Sequence, residues 1–239
     1  MLADLGRGAS GLLSGFRMIL RPGLRRFVIV PAALNTVLFG SVIFLAGNYF
    51  GELMERLIPN WAGWLEYLLW PLFALTVLVI VYYTFTLLAN LIGAPFNERL
   101  AIAVAQRQGW TGRLPERTLA AGIAGALVGE LRKWVYFAVL ILLALALWLF
   151  PLTTLLTPLI WTLLSAWMLA MEYLDHPLEL EGLDFADKRA WLRRNRGLTL
   201  GFGLATLAAT LVPFVNFLVM PAAVAGATGL WATRQESDA

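Results

Sequence analysis

Long uncharged runs alternate along the chain with short charged clusters, and the architecture can be read from that alternation. Residues 27–51 form a first uncharged run of 25, 67–97 a second of 31, 134–171 a third of 38 and 197–233 a fourth of 37. A helix needs roughly 20 apolar residues to span a bilayer. The first two runs therefore hold one long span each, predicted over about 27–50 and 67–94. The last two are too long for one helix and barely long enough for two. Each is broken near its middle by prolines, Pro151 and Pro158 in "LWLFPLTTLLTPLIW" and Pro213 and Pro221 in "TLVPFVNFLVMP". Proline in a helix interior removes a hydrogen bond and clashes with the preceding turn. The pattern predicts two proline-broken helical hairpins, over about 134–171 and 198–233, that partly penetrate the bilayer or cross it tilted. The predicted fold is an all-α integral membrane protein, read as a single membrane domain over 1–239.

The remaining segments, 1–26, 95–133 and 172–197, read as cytoplasmic or interfacial. Within the first, "ASGLLSGFRMIL" (9–20) has the pattern of a short amphipathic helix at the interface. The stretch 98–133 reads as two helices split at Gly109–Gly112, the second running on into 134–150 as one long bent helix. Small residues recur four apart at Gly11 and Gly15, Gly125 and Gly129, Gly197 and Gly201, and Ala222 and Gly226. Such pairs let helix backbones approach closely, here for packing within one chain before any contact between copies.

Loop charge orients the helices. Lys and Arg number five in 1–26, one in 52–66, six in 98–133, five in 172–196 and one in 234–239. Excess positive charge stays on the cytoplasmic side. With two single spans and two returning hairpins, all the rich segments and both termini fall on that side. The first apolar run starts at Phe27 and is too long for the core of a cleavable signal.

Composition narrows the function classes. The chain is 60% hydrophobic and 14% charged, against about 45–50% and about 25% in soluble domains. The pI near 9.5 reflects membrane orientation rather than nucleic-acid binding. The 239 residues include no cysteine and one histidine, which removes disulfides, thiol catalysis and multi-histidine metal sites. Neither a nucleotide cradle nor a catalytic triad is recognisable, so no enzyme activity and no cofactor are expected. His176, in "EYLDHP", reads as a turn or interface residue. The mixed charges of 172–196 read as a solvated face.

Two sets of polar positions stand out. Asn35, Asn90, Asn97 and Asn216 lie inside apolar runs near prolines. A buried amide in lipid faces protein or a water-filled path, so these four either tie helices together or line a polar pathway. Glu98, Arg99, Glu130 and Arg132 stand where such a path would open, and the two carboxylates would need basic partners, with Arg99 and Arg132 nearest. The second set is "RPGLRRF". With Pro22 at the first helical position, Gly23, Leu24 and Arg25 would present free N–H groups at the positive end of a helix dipole. Arg25 and Arg26 there are either phosphate-facing anchors or, with those N–H groups, the donors for a bound oxyanion.

The segments "RPGLRRFVIVPAALN", "LLANLIGAPFNERLA", "LLSAWMLAMEYLDHP" and "LVPFVNFLVMPAAVAGATGLW", in this order over nearly the whole chain, resemble the bacterial CysZ sulfate-permease family. That resemblance implies sulfate passage across the inner membrane, supplying cytoplasmic sulfate for cysteine synthesis. It also implies two long membrane helices, two partly penetrating hairpins and a homo-oligomer. Its Gly-hydrophobic-Arg sulfate motif falls on Gly23, Leu24 and Arg25, with Arg26 beside it. The chain departs from the family pattern at His176, where relatives tend to carry an aromatic residue, and in "FPLTTLL", which lacks the usual glycines. Passage of a related oxyanion, sulfite or thiosulfate, and a non-transporting membrane scaffold are the other readings.

Overall fold

The computed structural model describes residues 1–59, 62–112, 119–149 and 151–238. In hydrocarbon a peptide group finds no water, so each spanning segment has to satisfy its own backbone. Every regular element among the described residues is accordingly helical. In chain order these are α1 (Leu2–Ile19), α2 (Arg26–Leu57), α3 (Trp64–Arg107), α4 (Leu119–Trp148), α5 (Thr157–Leu180), α6 (Phe185–Arg194), α7 (Arg196–Thr210) and α8 (Asn216–Asp238), with a 3-10 turn, Pro151–Leu156, between α4 and α5. Among the described residues four stretches are long and apolar enough to cross a bilayer: Arg26–Leu57, Trp64–Thr84, Val128–Trp148 and Thr153–Leu180. The chain is an all-α, multi-pass membrane protein.

Each proline-broken run is interrupted once, at Pro151 and at Pro213, whereas Pro158 lies in the first turn of α5 and Pro221 inside α8, where it breaks no helix. α4 stops at Trp148 and α5 starts at Thr157, while α7 stops at Thr210 and α8 starts at Asn216. The second break also holds Phe214 at φ 65°, a left-handed conformation costly for a bulky side chain. The 15 residues of α7 fall short of the roughly 20 that a crossing takes. The arms of the first hairpin do not.

Elsewhere the helices run further than the charge pattern predicts. α3 continues through Pro95 to Arg107, so the first of the two helices read in 98–133 is the end of the second span. α4 runs unbroken from Leu119, as the long-helix reading of the second has it. α5 passes through Pro177 to Leu180, which places His176 in a helix and not in a turn. Helices packed against neighbours tolerate such prolines because nearby groups satisfy the freed carbonyl.

The chain divides into two compact units, Arg26–Asn97 and Met1–Arg25 with Glu98–Ala239. In the first, α2 and the start of α3 meet through Phe50, which stacks on Phe73 at 4.0 Å and meets Trp70 edge-on at 5.1 Å. Val37, Phe44, Tyr67 and Leu78 of this unit are exposed, a surface suited to lipid.

In the second unit α1 is a core helix and begins at Leu2, seven residues before the predicted interfacial helix. Glycines set its distance from α7 and α8. A Cβ on Gly8 would overlap the backbone at Leu198 and Phe202, and one on Gly15 the Ala222 carbonyl and Gly226. One on Gly201 would overlap the Leu5 backbone, and one on Gly203 the Ala166 carbonyl of α5. Three of the four small-residue pairs are thus consumed inside one chain. Of the fourth, Gly129 has open space around it, and the surroundings of Gly125 lie outside those described. Leu12, Phe202, Val224 and Trp231 are fully buried in this core.

Candidate functional site

The turn between α1 and α2 is built by its own backbone. Arg21 N–H donates to the Met18 carbonyl, and Leu24 and Arg25 N–H both donate to the Arg21 carbonyl, at 3.1 and 3.2 Å. α2 then starts at Arg26. This corrects two expectations. Pro22 is not the first helical residue, and Leu24 and Arg25 do not offer free N–H groups, because the chain closes a turn before it enters the helix. The Gly23 N–H meets no acceptor among the described residues. Leu24 is 2% exposed and anchors the turn, whereas Gly23, Arg25 and Arg26 are exposed. The Arg26 guanidinium lies 4.9 Å over the Phe27 ring.

Gly23 holds φ +85°, a conformation that strongly favours glycine. A second constraint comes from α3. Arg107, its last residue, donates Nη2 to the Pro22 carbonyl at 2.8 Å. A Cβ on Gly23 would stand 2.7 Å from that same nitrogen. Sequence reasoning missed Arg107, since 85 positions separate it from Pro22 and only the fold brings them together.

The polar residues of the predicted pathway differ among themselves. Asn35 is half-buried, and its buried Oδ1 has no hydrogen-bond partner among the described residues. Asn97 is 8% exposed. The side chain of Asn90 lies outside the described ones. Asn216, first residue of α8, is exposed, as are Glu98, Arg99, Glu130 and Arg132. Among the described residues Glu98 and Arg99 form no ion pair.

Glu130 does have a basic partner, and it is a lysine, which corrects the expectation of arginine. Lys133 stands one turn along α4 and reaches Glu130 at 2.8 Å, Glu172 of α5 at 3.0 Å and Asp175 at 4.0 Å. Lys188 of α6 continues the series to Asp175 at 2.8 Å and to Glu179. Both lysines are buried. Charges read as a solvated face are therefore a network that joins three helices. Burial pushes the Lys188 ammonium down, but Asp175 and Glu179 outweigh it, so its pKa lies above the ordinary value. The signal was present in the sequence: Glu172, Asp175 and Glu179 are spaced for one face of a helix.

Beside the network, Arg189 stacks over Tyr136 at 5.1 Å and Phe185 at 5.5 Å, and the Tyr136 hydroxyl accepts from Trp167 Nε1 at 3.1 Å. Asp184 caps α6 by accepting from the Asp187 N–H at 2.8 Å; that bond holds its carboxyl below the usual range. An open cavity of about 510 Å³ is bordered by Arg7, Ser14, Met18, Gln108, Leu230 and Arg234, and no residue singled out as a site candidate from the sequence lines it.

The family model described as "Sulfate transporter CysZ/Etoposide-induced protein 2.4" matches residues 11–221. The chain belongs to this family. A protein named sulfate transporter CysZ from Pseudomonas paraeruginosa is 40% identical over 238 residues, covering 97% of this chain and 96% of its own. Relatives of the same name from Pseudomonas fluorescens and Pectobacterium atrosepticum are 38% and 37% identical, covering 100% and 95% of this chain and 98% and 85% of their own. The match to the family model includes the turn at Gly23 and the second hairpin as far as Pro221.

Proposed function

We propose that this chain carries sulfate across the bacterial inner membrane into the cytoplasm, where it feeds cysteine synthesis. The observation that carries this reading is the exposed, arginine-rich turn at Gly23–Arg26, in a chain whose relatives, matched end to end, bear the name sulfate transporter. Sulfate is tetrahedral and doubly charged, so several donors can engage it together. Gly23 offers its N–H, Arg25 and Arg26 their guanidinium forks, and Leu24 seats the turn. Asn35, Asn90, Asn97 and Asn216 border the path onward, with Glu98, Arg99, Glu130 and Arg132 at its inner mouth. Both termini are cytoplasmic, the hairpins return to that side, and several copies assemble. The chain acts by passage and does no chemistry on its cargo.

Purified protein in liposomes, with labelled sulfate outside, tests this directly. Sulfate enters vesicles that contain the protein and not empty ones. Equal uptake by both would leave a scaffold as the better reading. Uptake of sulfite or thiosulfate in preference to sulfate would shift the cargo and keep the transporter. Repeating the assay with an imposed proton gradient separates passive from coupled movement.

A further inference from the structure

We infer that Arg107 is a third guanidinium of the sulfate site, a substrate-binding residue supplied by the end of α3. This rests on the reading of the Gly23 turn as the sulfate site. Three observations converge on it. Arg107 Nη2 is fixed on the turn by its bond to the Pro22 carbonyl. That bond spends one of the several donors of a guanidinium and leaves the rest. The charge is not neutralised: among the described residues no carboxylate pairs with Arg107, and the turn itself carries Arg21 and Arg25. Finally, the guanidinium borders the place where a side chain at position 23 would stand, so it adjoins the Gly23 N–H, which meets no acceptor among the described residues.

Arg107 thus adds a third positive charge to a turn that carries Arg21 and Arg25, and a bound dianion offsets the repulsion among them. A neutral donor could hold the Pro22 carbonyl equally well. The carbonyl contact therefore does not account for a guanidinium at position 107. The arrangement also gives Gly23 a second task. Beyond its left-handed φ, its missing side chain admits Arg107 to the turn.

The test is calorimetric titration of sodium sulfate into the purified full chain and into Arg107→Gln, Arg107→Lys and Arg25→Ala, with melting temperature recorded for each. Glutamine can still donate to the Pro22 carbonyl, so a purely structural arginine predicts unchanged affinity. The inference expects Arg107→Gln to weaken sulfate binding roughly tenfold or more, about 1.4 kcal/mol, at an unchanged melting temperature. Arg107→Lys should recover part of the loss, since it keeps the charge without the fork. Wild-type affinity in Arg107→Gln, with affinity lost in Arg25→Ala, overturns the role of Arg107 and leaves the sulfate site standing. Wild-type affinity in both overturns the site together with the inference. If Arg107→Gln does not fold, Arg107→Lys decides: an intermediate affinity supports the fork, and wild-type affinity rejects it.

Discussion

The Lys133 ammonium stands 3.0 Å from the Glu172 carboxylate and so ties α4 to α5 across the first hairpin. The lysine is buried while the carboxylate is half exposed. A buried cation with three carboxylates around it is satisfied; the same carboxylates without it are crowded like charges. Lys133→Met keeps most of the volume and removes the charge. It should destabilise the protein by about 1–3 kcal/mol, the range of hydrogen bonds to charged groups, discounted for the exposure of the partners. Adding Glu172→Gln should cost less than the sum of the two single changes. Thermal unfolding in detergent, run as a double-mutant cycle, measures this; strict additivity would show that the pair does not interact.

Lys188 gives the same network a pH signature. Its pKa in the folded chain is raised above the ordinary 10.5. A raised lysine binds its proton more tightly folded than unfolded. Its contribution is therefore complete below the unfolded value and is lost as pH rises through the folded one. Melting temperature should hold from neutral pH to about 10 and then fall. Lys188→Gln should melt lower at neutral pH and show a shallower alkaline fall. Parallel curves for the two proteins would contradict the network.

Glycines in this chain fall into two classes that alanine separates. Gly15→Ala and Gly203→Ala press a Cβ onto the carbonyls of Ala222 and Ala166. The opposing atoms are backbone, so whole helices must shift. Both variants should fail to yield stable protein. Gly40→Ala and Gly47→Ala, in α2 with nothing within 4 Å, should be neutral or stabilising by up to about 1 kcal/mol. Expression level and melting temperature distinguish the classes, and equal effects at Gly15 and Gly40 would refute the packing.

The contrast shows what a one-dimensional pattern reveals. Helix type and the presence of stretches long and apolar enough to cross a bilayer were legible because they rest on a local property, apolar length, whereas Pro221, read as a break, stands inside α8. Close contact at Gly11, Gly15, Gly197 and Gly201 was legible from spacing, though not the helices they would meet. Gly8 and Gly203 escaped because neither has a small partner four residues away, and Arg107 because its partner carbonyl is remote in sequence. Lys133 and Lys188 were passed over for a different reason. Surface charge and buried charge look the same in a sequence until the facing helix is known.

Asn35 separates pathway from scaffold. Its buried Oδ1 has no partner among the described residues, and an unsatisfied buried acceptor is a cost. Asn35→Leu should thus keep or raise the melting temperature while lowering sulfate flux in liposomes. A fall in stability with flux unchanged would make it a structural amide.

Orientation can be read with single cysteines, since the chain has none of its own. A cysteine at Asp187, in the first turn of α6, should resist impermeant thiol reagents in intact cells and react in inverted vesicles. Labelling from outside would reverse the proposed topology and set the arginine turn apart from the segment 172–196.

The last prediction concerns Arg25 and Arg26 themselves. Both are exposed beside the entry to the first span, where simple anchors would also stand. The two roles differ in what they ask of the side chain. An anchor needs a positive charge near lipid phosphate, so lysine serves as well as arginine. A sulfate donor needs the planar fork, so lysine serves only in part. Each charge-assisted hydrogen bond is worth about 1.5–3 kcal/mol, from which repulsion between the arginines subtracts. Arg25→Ala or Arg26→Ala should then weaken sulfate binding roughly tenfold or more, and Arg25→Lys should fall between. Leu24 should act otherwise. Its N–H is committed to Arg21, so Leu24→Ala should lower stability through its lost burial and change affinity only as far as the turn loosens. Gly23→Ala is a poor probe of anion approach alone, because it also strains a left-handed residue and collides with Arg107. Calorimetry with sodium sulfate on each purified variant, beside its melting temperature, resolves these cases. Unchanged affinity in both alanine variants and in Arg25→Lys, with the fold intact, would return the two arginines to the membrane surface as anchors.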